Sequence, residues 1–121
     1  KNNKNIPAFI DLSYLDELAD GDNKFKEEII SHFIEHTPYT IKQMRINLST
    51  KKFDALYGNI HKLIPQFTFV GLKTVIADSE YIELMSKNKK ESKKLSDKID
   101  IIEKKINKGI RELKKIINIV N

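Results

Sequence analysis

The sequence predicts an all-α protein: an antiparallel four-helix bundle with a short additional N-terminal helix, folded as a single domain of 121 residues. Three observations favour this fold class. Apolar residues recur at steps of three and four along nearly the whole chain, and no strand-like alternation is sustained. Glycine and proline are scarce, with 4 and 3 copies, and Gly21 and Gly71 lie near expected helix ends. One apolar face per helix and short connections are typical of an antiparallel bundle.

The first helix is predicted to be short. Residues 1–10 are interpreted as a lead-in, and the helix follows over residues 12–19. Asp11 is the expected N-cap, because its carboxylate can accept a hydrogen bond from a free amide of the first turn. Gly21 lies just past the predicted end, where a left-handed residue commonly terminates a helix.

The second helix is predicted to start at Asp22 or Asn23 and to run to about Leu48. Pro38 lies inside it and predicts a kink, because proline has no amide to donate to the preceding turn. The residues expected on its buried side are Phe25, Ile29, Phe33, Ile41, Met44 and Leu48.

Three more helices are predicted in the second half of the chain. The third extends from Phe53 into the region 67–69, and the fourth follows Gly71. A polar stretch then leads into a long, lysine-rich C-terminal helix within residues 87–121, which completes the bundle. The apolar residues of the fourth helix are Val75, Ile76, Ile82 and Leu84. The stripe of the fifth comprises Leu95, Ile99, Ile102, Ile106, Ile110, Leu113, Ile117 and Val120.

Composition excludes several classes of protein. The absence of cysteine removes disulfides and thiolate chemistry, and no apolar run approaches the roughly 18–20 residues that span a bilayer. The net charge of +5 comes from residues 87–121, with 12 Lys/Arg against 5 Asp/Glu. That segment lacks the glycine, arginine and aromatic residues typical of nucleic-acid binding surfaces. We therefore expect a solvated helix face, with no nucleic acid bound and no membrane insertion.

One histidine of the third helix is predicted to lie outside the core. At about 100° per residue, His61 points roughly 140° away from the centre of the apolar stripe. Gly58 and Pro65 flank it, although in an exposed helix interior they cost about 1 and 3 kcal/mol relative to alanine. Their presence indicates that another surface approaches the imidazole. The stripe itself consists of Phe53, Leu56, Ile60, Leu63, Phe67 and Val70.

An exposed, neutral imidazole has the chemistry of a phosphoryl carrier. Its free nitrogen is nucleophilic near pH 7. The phosphoramidate that it forms is a high-energy adduct, able to pass its phosphoryl group to a carboxylate. Because such transfer depends mainly on positioning and charge neutralisation, a rigid helix is a suitable support.

The run His61-Lys62-Leu63-Ile64-Pro65-Gln66-Phe67-Thr68-Phe69-Val70-Gly71-Leu72 resembles the signature of histidine phosphotransfer (HPt) domains. That signature has a hydrophobic residue two positions after the histidine, lysine three after, a small residue four after and glycine ten after. His61, Leu63 and Gly71 match it, and the order of helices is also similar over roughly residues 10–117.

The resemblance implies a phosphocarrier, not a turnover enzyme. His61 would exchange phosphoryl groups with the aspartate of a response-regulator receiver domain, and a hybrid sensor kinase would be a further partner. No cofactor or metal is expected on this chain, because the receiver supplies Mg²⁺. We expect a cytoplasmic monomer, either free-standing or the C-terminal domain of a membrane-attached hybrid kinase. A degenerate HPt-like or helical interaction module that only binds a partner is the alternative.

Two departures from the signature affect the residues around the histidine. Ile64 occupies the position of the lysine, whose charge would then come from Lys62 or Lys73, or be missing in an inactive member. Pro65 replaces glycine but is still compact. With Pro65, Ile64 and Phe69 are expected to form an apolar rim for a receiver, unless Phe69 turns inward. Lys62 and Gln66 are candidates to orient the phosphoryl group, and Thr68 shares their exposed face.

Other chemistry-bearing patterns favour ordinary surface positions. His32 and His36 flank Glu35 in an H-x-x-E-H pattern, but a third metal ligand is not evident. The carboxylates of Asp11, Asp16, Glu17, Asp20 and Asp22 do not indicate an acid–base pair. The main structural rival is an intermolecular coiled coil through the fifth helix, which Asn107 and Gly109 disfavour by interrupting its seam.

Overall fold

The computed structural model describes residues 9–90 and 93–120, with side chains up to residue 117. Residues 1–8 of the predicted lead-in lie outside that part. The described residues form five α-helices and one 3₁₀ turn and contain no strand, so the predicted all-α class is confirmed. The helices are α1 (Ser13–Ala19), α2 (Asn23–Ser49), α3 (Phe53–Phe69), α4 (Ile76–Lys87) and α5 (Lys93–Val120), and the 3₁₀ turn Lys73–Val75 precedes α4.

The start of α2 is capped by a side chain, whereas the start of α1 is not. The predicted start of α2 at Asp22 or Asn23 is confirmed, and the carboxylate of Asp22 caps the helix by accepting a hydrogen bond from the Phe25 amide at 3.0 Å. Asp11 is not the N-cap of α1, because Leu12 occupies that position without a side-chain bond. Asp11 instead accepts bonds from the amide and hydroxyl of Ser13, at 3.0 and 2.6 Å. These bonds are the leading reason why the pKa of Asp11 is lowered.

The buried side of α2 differs from the predicted one. Phe25 is exposed, because a row of four-residue steps drifts by about 40° per step around a helix of 3.6 residues per turn. The helix continues through Pro38 without interruption. Ile29 and Leu48 are only partly buried against the core. The fully buried residues of α2 are Ile30, Phe33, Thr37, Ile41 and Met44.

The four long helices contact one another in a closed series. In the described part of the chain, α3 packs on α2 and α4, and α5 packs on the same two helices, whereas α3 and α5 are not neighbours. The rings of Phe33 and Phe67 join α2 to α3 edge to face, with centroids 6.0 Å apart. Arg45 joins α2 to α5 through Glu103 and Asp100, and these bonds raise the pKa of its guanidinium.

The stripe of α5 is buried as predicted from Leu95 to Leu113. Ile117 is only partly buried, and the side chain of Val120 lies outside the described residues. The last helix begins at Lys93, not at residue 87, because Lys87 still belongs to α4. A Cβ added at Gly109 would lie 3.2 Å from the side chains of Ile10 and Leu72. These two residues of the same chain therefore pack over the apolar stripe at Gly109.

The segment before α1 ties the N-terminal residues to α3 and α5. The amides of Phe9 and Ile10 donate to the carboxylate of Glu112, at 3.0 and 3.1 Å. The Asp11 amide donates to the carbonyl of Gly71 at 3.2 Å. Gly71 has a φ of +68°, and a Cβ there would lie 1.7 Å from the Asp11 carbonyl oxygen, so only glycine fits. This crossing places α1 beside the C-terminal end of α3.

Candidate functional site

His61 lies in the middle of α3 on its exposed side. The α3 residues Leu56, Ile60, Leu63 and Phe67 are at most 2 % exposed, whereas the side chain of His61 is 63 % exposed. The buried stripe thus fixes the helix and leaves the imidazole at the surface, which is the position that the periodicity predicts.

Two side chains hold the imidazole ring of His61. Its Nδ1 lies 2.5 Å from a carboxylate oxygen of Glu83 on α4. Its ring stacks on that of Tyr57, one turn earlier on α3, with centroids 5.3 Å apart and planes inclined by 15°. Because a carboxylate only accepts hydrogen bonds, Nδ1 must carry the proton. In the neutral ring, the lone pair is then on the other nitrogen, Nε2.

The sequence pattern did not identify Glu83 as the partner of His61. Glu83 follows the buried Ile82 and is itself only 26 % exposed in its side chain. The partner of His61 depends on how α3 and α4 are aligned, and no local pattern encodes that alignment. If α3 is assumed to pack against the next helix, acidic residues on the facing side of that helix become candidates. That is the signal that would have suggested Glu83.

A shallow cleft of about 300 Å³ opens beside His61 between α3 and α4. Leu84 lies in this cleft and is 53 % exposed. It was grouped with the apolar residues of the fourth helix, but two residues after the buried Ile82 it points to about the opposite side. The lining residues are Tyr57, His61, Glu80, Glu83, Leu84 and Lys87.

The predicted neighbours of His61 divide into exposed and partly buried residues. Lys62, Pro65 and Thr68 are exposed. Gly58 is partly exposed, and a Cβ there would meet no heavy atom within 4 Å. The packing of the chain itself therefore does not require glycine at position 58, which leaves room for another molecule beside the imidazole.

The residues of the predicted apolar rim differ in exposure, and Pro65 is the exposed one. Ile64 is half-buried and packs against the core. Phe69 is also half-buried, and its ring stacks on that of Tyr14 of α1 with centroids 6.0 Å apart. Gln66 is half-buried, and its amide nitrogen lies 3.5 Å from the carbonyl of Lys62. Of these side chains, none lines the cleft beside His61.

The other candidate groups do not assemble into a site. The rings of His32 and His36 lie 4.2 Å apart on α2. Within the described residues, however, no group of three or more histidine and acidic side chains could hold a metal ion. Asp16 pairs with Lys26 at 2.7 Å. The described helices also include none that is long and apolar enough to cross a membrane.

The basic charge of α5 is partly neutralised within the chain. Lys98 pairs with Asp78 of α4 at 2.8 Å, and this bond raises the pKa of the lysine. The ammonium of Lys108 lies 4.7 Å from the centre of the Phe9 ring. These contacts join α5 to α4 and to the N-terminal segment.

Comparisons with protein-family models, with curated proteins and with solved structures found no match. The chemistry of the site therefore follows from its side chains. The side chain of His61 is 63 % exposed, and Glu83 and Tyr57 contact its ring.

Proposed function

We propose that this chain is a histidine phosphotransfer domain that relays a phosphoryl group between receiver-domain aspartates through His61. Helices α2 to α5 form its antiparallel four-helix bundle, and α1 is the additional helix. The observation that carries the proposal is the exposed imidazole of His61 with Nδ1 bound to Glu83 and Nε2 free. The similarity of the α3 sequence to the HPt signature supports it.

The transfer uses the two imidazole nitrogens in different roles. Nε2 of His61 attacks the phosphorus of an aspartyl phosphate on the receiver, so an N–P bond forms as the P–O bond to the aspartate breaks. The aspartate leaves as a carboxylate, and the positive charge that develops on the ring is stabilised by Glu83 through the Nδ1 proton. The same path in reverse passes the group to a second receiver, with the receiver's Mg²⁺ neutralising the phosphoryl oxygens.

A receiver domain must come close to His61 for this reaction. The open space at Gly58 and the compact ring of Pro65 leave that approach unobstructed on both sides of the imidazole. The chain needs no cofactor of its own in this role. It acts as a monomeric cytoplasmic phosphocarrier, with a hybrid sensor kinase and a response regulator as its partners.

A binding-only module is the second candidate function. Glu80 and Glu83 line the cleft beside His61, and their negative charge opposes a phosphoryl group there. Residue 64 is isoleucine and packs against the core, so this position carries no positive charge. A domain of this kind would dock on receivers without accepting their phosphoryl groups.

The test is phosphoryl transfer from labelled receiver domains of the same organism. We expect an acid-labile label on the wild type and none on His61→Gln. His32→Gln and His36→Gln are matched controls, because they remove the other two histidines of the chain, both exposed on α2, and should keep the label. Stable receiver binding without label on the wild type would refute the phosphocarrier and establish the binding-only module.

A further inference from the structure

A phosphoryl group on His61 needs a cation close to it. It adds a charge of about −1.5 to −2 near neutral pH. The carboxylates of Glu80 and Glu83 line the same cleft, so the charge would face two like charges. Without a compensating cation, the phosphorylated form would be electrostatically destabilised.

Two of the lysines considered from the sequence are poorly placed for this role. Lys73 lies in the 3₁₀ turn after α3, where its ammonium is 3.5 Å from the carboxylate of Asp11. It lines a different surface depression, beside Tyr14 and Thr68. Lys62 is the residue after His61 and is exposed, but it does not line the cleft.

The alignment of α3 and α4 brings a third lysine to His61. His61 contacts Glu83, and Asp54 lies 3.9 Å from Lys89, so the two helices run in opposite directions. Lys87 is four residues after Glu83 and therefore projects from nearly the same side of α4. It lies about one turn, roughly 6 Å, along α4 from the level of Glu83. A lysine side chain spans that distance.

We propose that Lys87 is the cation that neutralises the phosphoryl group on His61. It is the one lysine or arginine among the residues that line the cleft. In the described part of the chain, the ion pairs of α4 involve Asp78 and Glu83 and not Lys87. Its ammonium is thus available to the phosphoryl oxygens. This inference rests on the proposed phosphocarrier function. It adds that a positive charge on α4 stabilises the phosphorylated form.

A purely structural role would give a different pattern of effects. Lys87 is the last residue of α4 and is exposed, so its charge favours the helix terminus by a modest amount. It can also pair along the helix with Glu83, four residues earlier. If Lys87 had only these two roles, its removal would lower the stability of the fold slightly. It would not change the pKa of a phosphoryl group on His61.

The experiment uses potassium phosphoramidate as a small phosphoryl donor, so that no receiver is required. Phosphorus NMR follows the formation of phosphohistidine and the pKa of its phosphoryl group. We expect Lys87→Gln to raise that pKa by about 0.5 pH unit, as loss of a unit charge at roughly 6 Å in a water-like dielectric implies. Lys87→Arg should restore the wild-type value. Lys104→Gln is the matched control, because it removes an equal charge from α5, which does not contact α3.

The outcomes separate this inference from the function on which it rests. Wild-type protein that forms no phosphohistidine would refute the proposed function and this inference together. Phosphohistidine in every variant, with the same phosphoryl pKa in Lys87→Gln as in Lys104→Gln, would refute the role of Lys87 alone. A shift in Lys62→Gln without one in Lys87→Gln would assign the neutralising charge to Lys62 and overturn the inference. Thermal unfolding of each variant checks that the fold is retained.

Discussion

Substitution of Gly71 by alanine tests how the N-terminal segment is held across the end of α3. The new Cβ would lie 1.7 Å from the carbonyl oxygen of Asp11, so the segment must move away. The φ of +68° by itself costs a residue with a side chain about 1–2 kcal/mol. Displacement also breaks the bond from the Asp11 amide to Gly71 and the two bonds to Glu112, each worth about 1 kcal/mol net. We therefore expect a loss of about 4 kcal/mol in the free energy of unfolding.

Gly21→Ala is the matched control for this loss. Gly21 also has a positive φ, of +88°, but a Cβ there would meet nothing within 4 Å. It should cost only the backbone strain, about 1–2 kcal/mol. Urea denaturation followed by far-ultraviolet circular dichroism measures both variants, with unchanged m-values as the check on two-state unfolding. Equal losses in the two variants would refute the argument that close approach of the N-terminal segment requires glycine at 71.

Three further predictions concern the site and its surroundings. Glu83→Gln keeps an acceptor for Nδ1 of His61 but removes its charge, so phosphorylation by phosphoramidate should slow by about five- to tenfold, equivalent to roughly 1 kcal/mol; an unchanged rate would contradict the role of that carboxylate. Gly58→Ala should raise the free energy of unfolding by up to about 1 kcal/mol and slow transfer from a receiver but not from phosphoramidate; equal transfer from the receiver would show that the space at this position is not used for docking. Because its folded-state pKa is lowered, Asp11 stabilises the fold at a pH above its unfolded pKa of 3.8 and loses that contribution as the pH falls through the folded value. The difference in stability between wild type and Asp11→Ala should therefore shrink below about pH 4 in acid denaturation series, and a constant difference would contradict the assignment.

The elements that sequence patterns located well are those with a strong local signal. The range of α3, the start of α2 and the stripe of α5 up to Leu113 agree with the structure. A run of apolar residues at helical spacing, or a capping side chain, acts within a few residues, so the local sequence is sufficient. The exposed position of His61 follows from the same periodicity.

The errors arose where the buried side of a helix depends on what packs against it. Phe25 and Leu84 are apolar residues that the fold leaves exposed, and Thr37 is a polar residue that it buries. Asp11 was expected to cap α1, but Leu12 occupies the cap position. The Asp11 carboxylate instead accepts a hydrogen bond from the Ser13 amide. Each of these positions is decided by neighbouring segments, which helical periodicity does not describe.

The sequence alone determined the helical class, the range of α3 and the exposure of His61, because helix formation and amphipathic burial are set by residues three and four apart. The tertiary structure alone decided that Glu83 contacts the imidazole, that Lys87 lines the cleft beside it, and that Gly71 must admit the backbone of Asp11. These contacts join residues 22 or more positions apart in the chain. They depend on how α3, α4 and the N-terminal segment are aligned, and that alignment is fixed by the complementary packing of whole faces.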